Sequence, residues 1–148
     1  MNEINLDQTT ADALIALPKV RANNDVSHYP GLGGYLSLPL LSEDGHESFH
    51  LDIRRSGIDL VKGTYQNRAM QVVVLVRLDF GGAPHRNPDD AEIPTPHLHI
   101  YREGYGDKWA IPAPQEQFSH LQDLWTTLQD FMNYCNIVNP PLIQRGIV

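Results

Sequence analysis

Two imidazoles flanking one leucine, His97-Leu98-His99, are the residues of this chain best placed to do chemistry. Alternate residues of a strand share a face, so a strand here would present His97, His99 and Tyr101 together, with the two imidazoles about 7 Å apart. At that separation both can bind one metal ion or one phosphate. An imidazole also changes charge close to neutrality, which suits it to proton transfer. Asp79 and His85, upstream in the same stretch, are placed to add a third ligand or a general base. The candidate catalytic set is therefore His97, His99, Asp79 and His85, and the candidate metal ligands are His97, His99 and His85. The spacing is looser than in a zinc finger or a zincin helix and no cysteine joins it, so the expectation is no cofactor, with a divalent metal as the alternative.

The elements that must hold these residues follow from hydropathy and turn residues. Leu6 to Leu17 reads as a short helix capped by Asp7 or Thr9 and stopped by Pro18. The segment from Val20 to Gly34 is rich in Asn, Gly and Pro and reads as a connector. From Tyr35 the pattern turns to period two. Strands are predicted over Tyr35–Leu41, Ser48–Arg54, Ile58–Gln66, Met70–Phe80 and the His97 segment, with turns at Glu43-Asp44-Gly45, Ser56-Gly57 and Asn67-Arg68. Connections this short favour antiparallel neighbours, because parallel ones need crossovers of a dozen residues or more. A second, amphipathic helix is predicted from Ser119 as N-cap to Tyr134, with Leu121, Leu124, Trp125, Leu128, Phe131, Met132 and Cys135 on its apolar stripe. The expected fold is α+β: an antiparallel meander of five to six strands, a short N-terminal helix, and a C-terminal amphipathic helix on one face. It is read as one domain over 1–148, with the helix in 1–18, the sheet in 35–112 and the second helix in 119–135.

If that helix covers the face of Phe49, Leu51, Ile53, Val72, Val74, Val76, Leu98 and Ile100, the opposite face carries His50, Asp52, Arg54, Arg77, Asp79, His97, His99 and Tyr101. The binding face is assigned to Arg77, Asp79, Tyr101, Arg54, Asp52 and His50. Any half-exposed antiparallel sheet has a polar side, so alternation alone does not make it a site. Gly81-Gly82 reads as turn chemistry, since Pro84 and Pro88 exclude the helix a phosphate loop would need. Cys135 reads as a small buried hydrophobe.

A formal net charge of −7, with only 11 Lys and Arg, disfavours direct binding to nucleic acid. A basic protein partner is the easier electrostatic match. Local basic character is confined to Arg54-Arg55, Lys62, Arg68 and Arg77, on consecutive predicted strands. No stretch is apolar enough to span a membrane, the N-terminal residues lack the basic region of a signal peptide, and one cysteine forms no internal disulfide, so the expectation is a cytoplasmic protein. Oligomeric state is left open.

TYQNR from Thr64, LVRLDFGGAPHRNPD from Leu75, PHLHIYREGYGDKWA from Pro96 and DFMNYC from Asp130 resemble an uncharacterised family of small bacterial proteins found in prophage and mobile-element neighbourhoods. Over the middle third, Asp79, Ala83-Pro84-His85 and Pro96-His97-Leu98-His99 are also similar to the core of the TumE-like toxins of toxin–antitoxin systems, with Leu78 standing where those toxins usually carry Trp. Two functions follow as expectations. The first is a small acidic binding or inhibitor protein of a phage or mobile element, acting on a host-defence or nucleic-acid-binding protein. The alternative is a toxin-like component with a His-based, metal-assisted or acid/base phosphoesterase or nuclease site.

Overall fold

The structure, a computed structural model, describes residues 4–146; the outermost residues of the expected 1–148 domain, 1–3 and 147–148, lie outside the described residues. Asp7 caps the first helix, α1 (Gln8–Ala16), its Oδ1 accepting from the Thr10 N–H at 2.7 Å. Two short strands follow in the expected connector, β1 (Lys19–Arg21) and β2 (Val26–His28). The long strands are β3 (Tyr35–Ser42), β4 (Ser48–Arg55), β5 (Gly63–Ala69) and β6 (Val73–Phe80). Then come a small hairpin, β7 (His85–Arg86) and β8 (Glu92–Ile93), the histidine strand β9 (His97–Ile100) and β10 (Ala110–Pro112). The chain closes with α2 (Leu124–Tyr134), β11 (Ile137–Asn139) and β12 (Leu142–Gln144).

The fold is α+β, but its main sheet is larger than the predicted meander and mixed. Eight strands run in the order β10-β9-β6-β5-β4-β3-β1-β11. The β3-β4-β5-β6 core is the expected antiparallel meander, whereas β1 and β11 pair in parallel. That pair joins residues 118 or so positions apart (Lys19 with Ile137), a pairing that local turn signals do not encode. β2 and β12 form a second parallel pair outside the main sheet.

Three boundaries move for physical reasons. Ser56, Asp59 and the residues between them form a side-chain-stabilised turn, Ser56 Oγ accepting from the Ile58 and Asp59 N–H groups and Asp59 Oδ1 from Val61, so β5 begins at Gly63 and not at Ile58. Met70 and Gln71 take positive φ (53° and 66°) and make the β5–β6 turn, so Val72 is exposed and not in the core. Asp123, not Ser119, caps α2 by accepting from the Trp125 and Thr126 N–H groups.

α2 covers the expected sheet face. Leu124, Leu128, Phe131 and Met132 share one core cluster with Phe49, Leu51, Ile53, Tyr65, Val73, Val76, Leu78, Phe80 and Leu98, and Cys135 is buried among them. A register shift between Asn67 and Arg68 breaks the alternation of β6: Val73 and Val76 are buried while Val74 is only partly so. No helix among the described residues is long and apolar enough to cross a membrane.

Candidate functional site

Register carries the polar face of the sheet. Across β3-β4-β5-β6-β9, Ser37, Asp52, Gln66, Arg77 and His99 pair in succession, and beside them Tyr35, Arg54, Thr64, Asp79 and His97 form a second row. The expected members Asp52, Arg54, Arg77, Asp79, His97 and His99 therefore do lie together. His50 sits one position further along, paired with Arg68. Tyr101 does not join them. β9 ends at Ile100, and Tyr101 is buried in the core with its hydroxyl donating to the Leu6 carbonyl (3.0 Å) and accepting from the Leu6 N–H (2.8 Å). The alternation that predicted its direction stops with the strand.

Asp79 is the hub. Its Oδ2 accepts from His97 Nε2 (3.2 Å) and Arg77 Nε (3.3 Å) and lies 3.3 Å from His99 Nε2, while its Oδ1 accepts from the Thr64 hydroxyl (2.9 Å). Burial pushes its carboxyl pKa up, but the His99 contact, the Arg77 charge and the Thr64 hydroxyl outweigh burial and hold it well below the usual carboxylate range. Asp79 is thus a fixed anion at physiological pH.

The histidines are held differently. His99, fully buried, donates Nδ1–H to the Asp107 carbonyl (2.8 Å), which leaves its Nε2 lone pair to accept from Arg77 Nη2 (3.1 Å). Arg77 is itself anchored by the Asp107 carboxylate. His97 is buried and its pKa is lowered, chiefly by burial, which the Asp79 charge only partly opposes, so its imidazole is neutral at pH 7. With Nε2–H given to Asp79, its Nδ1 carries a lone pair that is buried and has no partner among the described residues.

His85 arrives from the β7–β8 hairpin. Asn87 pins that hairpin by accepting from the Ala110 N–H (2.8 Å) and donating to the Ala110 carbonyl (2.9 Å). The His85 ring then packs edge-on against His99, centroids 4.5 Å apart, with His97 at 5.7 Å. Its Nε2–H donates to the Lys108 carbonyl at 2.8 Å. His85 therefore covers the pair, and the compact donor group is Asp79, His97 and His99, whose ligand atoms lie within 4.8 Å of one another. His85 is outside that metal-competent set.

Two carboxylate–imidazole distances of 3.2 and 3.3 Å match the edge of a tetrahedral zinc site, about 3.4 Å for bonds near 2.1 Å. The Arg77 guanidinium, however, already donates to both Asp79 and His99 and sits where a metal cation would. A metal at these donors requires Arg77 to swing out.

Asp52 stands apart, closed off by Ser37, Gln66 and a bidentate ion pair with Arg68; against the upward push of burial, these bonds lower its pKa. Gln66 and Thr64 are polar neighbours that the predicted face left out, and Arg68, read from the sequence only as local basic character and as part of a turn, is the partner of Asp52. Their signal was present in the alternation of Thr64-Tyr65-Gln66-Asn67-Arg68, cut short by reading Asn67-Arg68 as a turn, whereas β5 runs to Ala69 and the turn falls at Met70-Gln71.

Two shallow grooves open on this surface. One of about 260 Å3 lies over Tyr35, Arg54, Gln66, Arg77 and Asp79. The other, about 340 Å3, runs around the ends of β4, β5 and β6 and reaches Asp79 and His97.

A mixed sheet whose core face packs against α1 and α2, with a carboxylate–imidazole hub on the other face, defines the class: an α+β protein with a preorganised polar cluster. Residues 6–137 match the model of a family of unknown function, DUF6978, and the chain belongs to that family. No curated protein and no solved structure matches it.

Proposed function

We propose that the Asp79–His97 pair is a general-base dyad acting on a phosphoester, in a toxin-like component of a mobile genetic element. The observation that carries this reading is the Nδ1 of His97, buried and without a partner among the described residues, which a substrate would reach by displacing what covers it, while the other ring nitrogen is held by an obligate anion. A carboxylate bonded to one nitrogen fixes the tautomer and stabilises the imidazolium formed when the other nitrogen takes a proton from an attacking water, whose oxygen bonds to phosphorus as the P–O bond to the leaving alcohol breaks; the imidazolium then returns the proton to that alcohol oxygen. Arg77, beside the same carboxylate, is the cation that would answer negative charge developing on the substrate, and His99, accepting from its Nη2, holds it there. The metal-assisted version uses the same three donors with Arg77 displaced.

Two measurements test the dyad. Expression of the wild type should slow a bacterial host where a His97→Ala, His99→Ala variant does not. The purified wild type should cleave a phosphodiester probe roughly 100-fold faster than His97→Gln, the scale of a lost general base. Equal growth together with equal cleavage would remove the proposal.

A second reading, the acidic inhibitor that binds a host protein, is favoured by one observation. The β4–β5 turn holds Ile58, Leu60 and Val61 in solvent, Ile58 at 94% exposure. Clustered exposed apolar side chains are an interaction feature more often than a catalytic one.

A further inference from the structure

We infer that the 340 Å3 groove at the ends of β4, β5 and β6 binds the phosphoryl group of a small phosphorylated ligand. This rests on the proposed phosphoester chemistry and supplies its substrate class. Arg54, Arg55 and Lys62 line the groove, and Asp79 and His97 form its inner end.

The first argument is charge. Among the described residues the Lys and Arg ion pairs are Arg68 with Asp52, Arg77 with Asp79 and Asp107, and Arg145 with Asp123. Arg54, Arg55 and Lys62 have none, in a chain with 18 acidic residues available. Apart from Asp79 at its inner end, whose charge Arg77 already answers, no carboxylate lines this groove, so the three cations make it locally positive on an acidic protein, and the local field, not the net charge, decides what enters it.

The second argument is burial. Arg55 is only 8% exposed. Its Nη1 donates to the Pro30 carbonyl (3.2 Å), Nη2 reaches the Leu60 carbonyl at 3.4 Å, and its guanidinium lies 5.8 Å from the Tyr29 ring centroid. Its Nε is buried without a partner. A buried guanidinium with no counter-charge is costly, and an anion held in the groove by Arg54 and Lys62 would offset that cost through the low-dielectric interior, without contact with Nε. Arg54 and Lys62 are exposed and free to close over it, Arg54 from its stacked position 4.8 Å from the Tyr35 ring centroid.

The third argument is the wall. Gly81 and Gly82 have positive φ (72° and 80°), and a Cβ at either would stand 2.9 Å from the Lys62 side chain. Only glycine lets the chain turn here while Lys62 lies flat along it. Asp79 does not repel the anion strongly, because Arg77 and Thr64 already answer its charge. A doubly charged phosphoryl group matches three cationic side chains better than a single carboxylate does. The volume is at the lower end for ligand sites and suits a mononucleotide-sized group.

Amide NMR titration of the whole protein with inorganic phosphate, AMP and adenosine tests the site. Phosphate and AMP should shift Ser56, Gly63, Gly81 and Gly82, and adenosine should not. Loss of the exposed charges in Arg54→Gln, Lys62→Gln should weaken AMP binding by about tenfold or more, as expected for charge-assisted bonds. No shift with either phosphate probe, equal shifts with adenosine, or unchanged affinity in the double variant would overturn the inference. Phosphate binding without any cleavage removes the dyad and leaves the groove; cleavage with no contribution from Arg54 and Lys62 does the reverse.

Discussion

At the scale of single residues, the site is organised by one carboxylate. Asp79 collects two imidazoles, a guanidinium and a hydroxyl, and that network sets its ionisation as well as theirs. Its folded-state pKa lies below the unfolded value, so the stability it contributes is fully present above about pH 4 and is lost as pH falls through the folded pKa. Asp79→Asn removes the charge and keeps the shape. It should destabilise the protein by about 1–3 kcal/mol at pH 7, the magnitude for charged hydrogen bonds within a partly buried network. Urea denaturation from pH 7 downward should show this gap constant to about pH 5 and shrinking below pH 4. A gap that grows on acidification would mean that Asp79 is strained in the folded state and not held by its neighbours.

At the scale of elements, legibility follows the range of the cause. The pairing β3-β4-β5-β6 and the inward face of β4 were readable because Phe49, Leu51 and Ile53 alternate with His50, Asp52 and Arg54 over an unbroken strand. Asp79, His97 and His99 were placed on one face for the same reason. Alternation stops predicting direction where the strand ends, at Tyr101, and where an extra residue enters the ladder, at Leu75 between the Asn67 and Arg68 pairings. It could not reach β1 at all. Lys19 reads as a polar residue after a helix stop, yet it is fully buried, and its ammonium donates to the Ile15 and Leu17 carbonyls at the end of α1 and the Cys135 carbonyl at the end of α2 (2.9, 3.0 and 2.8 Å). One cation thereby satisfies the C-termini of both helices. Burial lowers its pKa to about 8. The unfolded chain keeps this proton to about pH 10.4, so between the two values the unfolded state binds more protons and the stability contributed at this position rises with pH. Lys19→Met should cost about 3 kcal/mol at pH 7 by stranding those carbonyls. Chemical denaturation at pH 7, 8 and 9 should show its deficit against the wild type widening from pH 8 to pH 9. A methionine variant as stable as the wild type would show that the helix ends do not depend on the ammonium.

At the scale of the whole molecule, polar and apolar surface are distributed unevenly, and both proposed functions draw on the same end. The chain is acidic overall, yet the ends of β4, β5 and β6 gather Arg54, Arg55 and Lys62 around a groove. The turn that connects β4 to β5 beside it exposes Ile58, Leu60 and Val61 at 94, 65 and 45%. A turn stabilised by its own Ser56 and Asp59 side chains does not need those three residues for packing. Replacing all three with Ser should therefore leave stability within about 0.5 kcal/mol of the wild type, as for surface positions without special features. The functional consequence divides the two readings. If the molecule is an inhibitor, the triple variant should lose a purified protein partner that the wild type binds at low salt, with phosphate binding in the groove unchanged. If it is a phosphoester-cleaving element, the same variant should keep cleavage of a small probe, because His97 and Asp79 approach that groove from the sheet and not from the turn. A triple variant that loses small-probe cleavage while remaining folded would join the turn to the site as part of its wall, and the separation of apolar surface from reactive surface argued at this scale would not stand.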